Sequence, residues 1–472
     1  MKLTTDQIIS TGFGALIVFT ALAHGVVEPW SELIFVLSVS GLGLLWAVKA
    51  VREKRLSLFI PANLWPLAGL ILLGVVQSLP LSGGEGKSAT LSLDAEATQG
   101  TTLLLCCLLL TSLIASNFLT HRERLQTLMQ FLTIFGLVLA TFSLIQHFAW
   151  NDKFYWVRAV ESKTSFGPFV NRNHFAGYLE LLLPWPVALM LTRRRSLAEK
   201  SFYLFITGWM VVVAVFSLSR GGMMSIFAQL VFMAAFRPRQ FDAAETAAAP
   251  SRWVTPLRHA AAAIVFAATI FGGLAWLGAE RVIDRVTAGI GSDLPQATSS
   301  SNAGQATVQP FTGHRGELWR DSWKIFLANP LTGAGLGAYE TALPIHNQNR
   351  NLGMIASQSH NDYLQVLTDA GLIGGLLAIW FLLLTARAVW NGLRVHEPLL
   401  SNAAFGCGAA LFGLSVHSLF DFNLQLLSHS LLFLAFAAIA AQLSELAQLI
   451  TSSRVRTSKA FRTDAVREAQ SF

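Results

Sequence analysis

Long apolar stretches recur along the chain, separated by short polar or basic connectors. Runs of spanning length fall at 8–27, 31–49, 57–79, 101–119, 125–148, 174–192, 201–219, 221–236, 259–278, 371–390, 398–418 and 426–446. Most are close to the roughly 20 residues a helix needs to cross a hydrocarbon core about 30 Å thick. The runs are continuous rather than alternating, so they predict helices and disfavour a membrane β-barrel. The eighth is short and begins at Gly221-Gly222, which predicts a tight re-entry after the seventh. The pattern is that of an all-α polytopic membrane protein with about twelve transmembrane helices.

The connectors set an orientation. Of the 34 Lys and Arg, 22 fall on one side, in the tail, at Lys2 and in alternate connectors such as Lys49-Arg52-Lys54-Arg55, Arg122-Arg124 and Arg193-Arg194-Arg195. Basic connectors face the cytoplasm, so both termini are expected there. Three outer segments are long: about 80–100, about 149–173 and about 279–362. The last contains a stretch rich in Ser, Asn, Gln and Ala from Gln296 to Gln309. An amphipathic helix follows over Gly313 to Ala328, with Trp319, Trp323 and Phe326 on one face. That face is expected either to lie on the membrane surface or to cap the bundle. Pro330 and Gly333-Ala334-Gly335-Leu336-Gly337 are expected to end it in a turn.

Composition agrees with the pattern. The chain is 53% hydrophobic and 13% charged, against about 25% charged in an ordinary soluble domain. That excludes a soluble multidomain enzyme, a disordered chain and a fibrous one. The net charge of +7 sits in short clusters between apolar runs, as topology signals do, so no nucleic-acid partner is expected. Cys106, Cys107 and Cys407 lie inside apolar runs and have neither disulfide nor metal-ligand spacing. Asp6 interrupts a weak n-region, so the first run reads as a retained helix rather than a signal peptide. Gly83-Gly84-Glu85-Gly86-Lys87-Ser88 mimics a phosphate-binding loop but lacks its first glycine and a preceding strand. No Asp-x-Asp pair is present to hold a metal-bound nucleotide sugar.

Five strings carry candidate chemistry. Ser219-Arg220-Gly221-Gly222 closes the seventh span at its outer end. Arg220 is either an arginine snorkelling to the interface or one placed where glycines let a bulky anion reach the backbone. In Asn171-Arg172-Asn173-His174, which enters the sixth span, Asn173 shares a helical face with Gly177 and Glu180. Glu180 lies about two turns into the bilayer, so it either fixes packing through a buried Arg or Asn contact or lines a substrate cavity. His314-Arg315-Gly316-Glu317 opens the amphipathic helix; alone it reads as a solvated face, with Glu317 offsetting Arg320. Ser359 followed by Asp362 resembles a helix N-cap, which puts His360 in the first turn. There the helix dipole favours a neutral imidazole that can accept a proton, and Asp362 opposes that effect. His360 is otherwise an interfacial histidine that is merely hydrogen-bonded. His417 and Asp421, at i and i+4, can pair with each other and read as structural.

Together these strings resemble the O-antigen ligase and O-antigen polymerase superfamily of bacterial inner-membrane glycan transferases. The matching pieces are Phe166-Gly167-Pro168-Phe169 running to Leu179, the Ser219-Arg220-Gly221 corner, and Arg315 with Trp319. Asn329-Pro330 with Gly333-x-Gly335, and His360-Asn361-x-x-Leu364, complete the series. They stand in the family's order over about 165–385. The resemblance divides the chain into helices one to five (1–164) and a ligase- or polymerase-like core with helices six to ten (165–390). Helices eleven and twelve (391–448) and a basic cytoplasmic tail (449–472) follow.

The resemblance implies a transferase of the bacterial inner membrane with a periplasmic active site and a large periplasmic loop, 279–362, bearing short amphipathic helices. It implies no metal and no cofactor. Its donor is a glycan on undecaprenyl pyrophosphate, drawn from among the membrane lipids, and its acceptor a sugar hydroxyl on lipid A–core or on another lipid-linked glycan. His360 takes the place of the family's general base, and Arg220 and Arg315 the places of its pyrophosphate-binding arginines. Arg172, Asn173, His174, Glu180, Arg320 and Asn361 are expected to support or line the site, with Arg320 close enough to compete with Arg315. Pilin-glycosylating relatives tend to carry Gln-Pro-Asn where this chain has Asn171-Arg172-Asn173, which ranks a protein acceptor lower. The alternatives are a polymerase of O-antigen or exopolysaccharide repeat units and, from another class, a polysaccharide transporter or flippase. The sequence shows no related halves of the kind transporters carry.

Overall fold

The computed structural model describes residues 4–56, 58–82, 88–159, 164–192, 195–236, 238, 315–346 and 357–469. The chain is mostly helical over these residues. Helix α1 spans Thr5–Leu22 and α2 spans Pro29–Glu53; a 3-10 turn, Ala62–Leu64, runs into α3, Trp65–Ser78. Then come α4 (Ala95–Phe118), α5 (Arg122–Phe148), α6 (Arg172–Leu182), α7 (Pro184–Met190), α8 (Leu197–Phe216) and α9 (Arg220–Ala235). After 315 follow α10 (Arg315–Ala328), α11 (Tyr339–His346), α12 (Asp362–Leu393), α13 (Pro398–His417) and α14 (Leu427–Ala469). Two small antiparallel hairpins, Leu81–Ser82 with Ser88–Ala89 and Lys153–Phe154 with Arg158–Ala159, qualify the all-helical expectation.

Among the described residues, eight helices are long and apolar enough to cross a membrane: α1, α2, α4, α5, α8, α12, α13 and the Leu427–Leu449 part of α14. The stretch Ala62–Ser78 and α9 are shorter apolar helices. The run expected at 174–192 is two helices, because Pro184 follows directly on α6 and opens α7. The run expected at 259–278 and the stretch 296–309 lie outside the described residues.

Helix starts follow local chemistry. Thr4 and Gln7 form a reciprocal capping box on α1, Ser196 and Glu199 do so on α8, and Asp94 caps α4 by accepting from the Ala97 amide. At one end of the bundle Asp6 accepts from Lys49 at 2.5 Å and meets Arg124 at 3.5 Å, while Arg122 meets Glu397 at 3.4 Å. At the other end the His24 ring meets the Pro168 carbonyl, and Gln77 donates to the Thr332 carbonyl. These contacts sort the helix ends into two groups, so successive helices reverse direction. The centre is formed by α13, whose spanning window is 89% buried, and α14, at 78%; α2, at 17%, is peripheral. Between Asn402 and Gly413, α13 is largely Ala and Gly, which lets neighbouring backbones approach.

Helix α10 caps the bundle through a face one residue away from the expected one. Leu318, Ser322 and Ile325 pack towards Tyr339, Ala342 and Leu343, and Ser322 and Tyr339 share a 2.8 Å hydrogen bond. Trp323 stays 48% exposed, and its ring lies 5.0 Å from that of Phe326. As expected, the helix ends just ahead of Pro330, at Ala328.

The apolar run expected to start at Gly371 is the second part of a longer helix that breaks there. Gly371 has φ 61° inside α12. The backbone groups freed by the break are taken up by the glycine-rich loop after α10. Ala334 and Gly335 amides donate to the carbonyls of Thr368 and Asp369, and Leu372 and Ile373 amides to those of Pro330 and Leu331. A broken helix is tolerated at membrane depth only with such partners. A Cβ on Gly371 would lie 2.4 Å from the Leu331 carbonyl oxygen. Gly371→Ala therefore meets both a left-handed backbone and a clash, and should cost at least about 1–3 kcal/mol. A thermal unfolding scan in detergent checks this: the variant should melt below wild type, and an unchanged Tm contradicts the account.

Candidate functional site

The short segment between α13 and α14, residues 418–426, gathers the candidate chemistry. It is stapled to the start of α12. Asn361 is the N-cap: its Oδ1 accepts from the Leu364 amide at 3.0 Å, and its Nδ2 donates to the Leu419 carbonyl at 3.0 Å. The Asp362 amide donates to the Ser418 carbonyl, and the Asp362 carboxylate accepts from the Ser418 hydroxyl at 2.7 Å and the Leu424 amide at 3.1 Å. The expected cap at Ser359 is therefore corrected. Its amide is taken by Gln365, and the helix begins three residues later.

His360 accordingly precedes the cap and does not sit in the first turn, so the helix-dipole argument does not apply in the expected form. Its backbone is left-handed, at φ 54°, a conformation a non-glycine residue keeps only where its surroundings hold it. His360 is buried and its Nδ1 lies 3.0 Å from Asp421 Oδ1. The Phe422 ring stands edge-on to it at 4.6 Å and edge-on to His174 at 4.8 Å.

Asp421 is 1% exposed, a carboxylate that must be matched by donors. Oδ1 also accepts from the Phe422 amide at 3.0 Å; Oδ2 accepts from Asn173 Nδ2 at 2.5 Å and meets Arg315 Nη2 at 3.5 Å. Burial pushes its pKa up. The hydrogen bond and charge interaction with His360, together with Arg315 and His174, outweigh that and hold it well below the usual aspartate range. Three elements remote in sequence, α6, α10 and the start of α12, thus converge on one carboxylate.

The expected face of α6 is present, and it points at this segment. Asn173 meets Asp421, Gly177 leaves room for Asn423, and Glu180 Oε1 lies 2.9 Å from His417 Nδ1. Glu180 Oε2 accepts from Ser225 at 2.5 Å. Its partners are therefore a histidine and a serine rather than the expected Arg or Asn. The His417 and Asp421 side chains do not pair with each other; each serves a different residue.

Arg220 begins α9, capped by Ser219, whose Oγ accepts from the Gly222 amide at 3.1 Å. The corner is tight, as expected: α8 ends at Phe216, and Leu218 takes φ 54°. A Cβ on Gly221 would lie 3.1 Å from His417 Nε2 and 3.6 Å from the Phe420 side chain. The arginine corner thus packs on the turn that leads into Asp421. Arg172 is half-buried in the first turn of α6 and Arg320 is exposed on α10, so of Arg315 and Arg320 it is Arg315 that meets Asp421. Asp421, expected only as a structural partner of His417, instead meets His360, and Phe422 beside it carries no expectation from the sequence.

Because Asp421 is held below its unfolded value of about 3.9, it adds stability that is present above that value and lost as pH falls through the folded one. Removing one partner of a buried pair typically costs about 3–5 kcal/mol. Asp421→Asn should therefore melt well below wild type at neutral pH, and the gap should narrow under acid conditions. Melting curves of both proteins against pH check this; a gap independent of pH contradicts it.

Residues 205–379, which include α9, α10 and most of α12 with Arg220, Arg315 and His360, match the model of a family described as O-antigen ligase. No curated protein matches the chain. That match covers just over a third of the chain's length and supports a place in the O-antigen ligase superfamily.

Proposed function

We propose that this protein transfers a glycan from undecaprenyl pyrophosphate to a sugar hydroxyl on the side of the membrane opposite its basic connectors, as a ligase-like, metal-independent, inverting transferase. One observation carries the reading: His360 is oriented by a buried carboxylate that also contacts Arg315. With Nδ1–H donating to Asp421, Nε2 is the basic nitrogen.

In the proposed step Nε2 takes the acceptor's hydroxyl proton as the oxygen attacks the anomeric carbon. The bond from that carbon to the diphosphate oxygen breaks on the opposite face, which inverts the centre, and the electron pair leaves with the diphosphate. Asp421 stabilises the imidazolium that forms, as a paired carboxylate does in other acid–base sites. Arg220 and Arg315 bind the leaving diphosphate; guanidinium forks match phosphate oxygens and remain charged, so two of them can do what a divalent cation does elsewhere.

An apolar cavity of about 230 Å³ runs beside the start of α12, lined by residues that include Leu67, Leu105, Val366, Phe381 and Phe433. It offers a hydrocarbon chain a place to lie within a few residues of His360. Lys49, Arg122 and Arg124 cluster at the end of the bundle opposite the site, which favours an outward-facing, periplasmic site in an inner-membrane protein with cytoplasmic termini. The break in α12 is filled by the 330–337 loop rather than left open as a passage, which weighs against a transporter. A polymerase of repeat units would use the same groups with a lipid-linked glycan as acceptor.

Purified protein supplied with an undecaprenyl-pyrophosphate glycan and either lipid A–core or a second lipid-linked glycan, with EDTA present, tests the reading. Product should form on one acceptor class, and that class separates ligase from polymerase. His360→Ala should lower kcat by about 10²- to 10⁴-fold with normal membrane insertion. Arg220→Lys should also be poor, since lysine lacks the fork. Full activity in His360→Ala, or loss of transfer on chelation, would overturn it.

A further inference from the structure

A second carboxylate–histidine pair lies one helical turn from the first. Glu180 and His417 are both fully buried, and 2.9 Å separates Oε1 from Nδ1. The carboxylate side of the pair is braced. Ser225 Oγ lies 2.5 Å from Glu180 Oε2 and 2.7 Å from the Gly413 carbonyl. One turn along α9, Gln229 donates to the carbonyls of Glu180 and Ala409. Helices α6, α9 and α13 are thereby locked together around Glu180.

The far edge of the imidazole has no such partner. Among the described residues, the buried His417 Nε2 has no hydrogen-bond partner. It faces the first turn of α9, where a Cβ on Gly221 would come within 3.1 Å of Nε2 and 3.2 Å of Cδ2. Gly222, the next residue, presses against Ala176 of α6, where a Cβ would lie 2.5 Å from the alanine's own. The two glycines let α13 and α6 grip that turn from two sides. Arg220 is the residue before them.

We infer that His417 is a positioning residue for the arginine corner: Glu180 holds the ring by Nδ1, and the opposite edge fixes the first turn of α9, and with it where Arg220 meets the donor's diphosphate. A buried ring with one nitrogen pinned has a single available orientation, so it acts as a rigid stop rather than a soft contact. Misplacing a charged clamp by about 1 Å can cost about 10²-fold. The inference rests on the reading of Arg220 as a diphosphate ligand.

The test uses Gly221→Ala, which adds one methyl group against the ring at a helical position where alanine is well tolerated. It should raise the donor KM and the inhibition constant of inorganic pyrophosphate by about 10- to 100-fold, leaving the acceptor KM unchanged. Adding His417→Ala to Gly221→Ala makes room for the methyl group and should recover part of the donor KM, a reciprocal rescue that general damage to packing does not give. Unchanged pyrophosphate inhibition in Gly221→Ala, or an equal rise in both KM values, overturns the inference. Arg220→Lys separates the two readings. If it leaves donor KM and pyrophosphate inhibition as in wild type, the diphosphate reading falls and this one with it. If it weakens both while Gly221→Ala does not, only the positioning role falls.

Discussion

A single buried carboxylate holds the site together. Asp421 is removed from solvent, and an ionised carboxylate there survives only if donors surround it. Those donors come from α6, from the head of α10 and from the residue before the cap of α12. The requirement to satisfy one charge therefore fixes the relative position of three stretches of chain that share no local signal. It also lies 3.0 Å from His360 Nδ1, a contact that in the proposed reaction fixes the tautomer of the ring. In the proposed reaction the same carboxylate also stabilises the charge that forms on His360.

The rest of the bundle serves this junction by bringing backbones close. The small residues of α13 let α14 and α7 pack against it, and the Trp185 ring lies 3.0 Å from where a Cβ on Gly406 would be. The break in α12 at Gly371 lets the 330–337 loop hydrogen-bond into the helix. That loop follows α10, so the insertion also anchors the helix that carries Arg315. In a hydrocarbon surrounding, an unsatisfied backbone group costs several kcal/mol, so this interlock leaves α10 little freedom to drift from its place over Asp421.

Much of this was legible in the sequence, and the remainder was hidden for physical reasons. Apolar runs marked the described spanning helices because hydrophobicity is a local property. The Asn173–Gly177–Glu180 face was legible because helical period alone places these residues together. What they face was not: Asp421 lies 248 residues from Asn173, and no periodicity links them. His417 and Asp421 looked like partners because i, i+4 spacing permits it, yet each finds a stronger partner on α6 or beside α12. The cap of α12 was misplaced for a similar reason. Ser359 and Asn361 are both good caps, and the choice fell to Asn361, whose amide also reaches the Leu419 carbonyl. The hydropathy run of α12 begins late because Asp362, Gln365 and Asp369 make its first turns polar, and His360 lies just before those turns.

In the proposed reaction His360 and Asp421 work as one unit. The most direct measurement is a double-mutant cycle on kcat for glycan transfer, comparing His360→Ala, Asp421→Asn and the two combined. Groups that act together are strongly non-additive, so the double variant should be no slower than the slower single variant. Losses that multiply, as they do for independent sites, would contradict the claim.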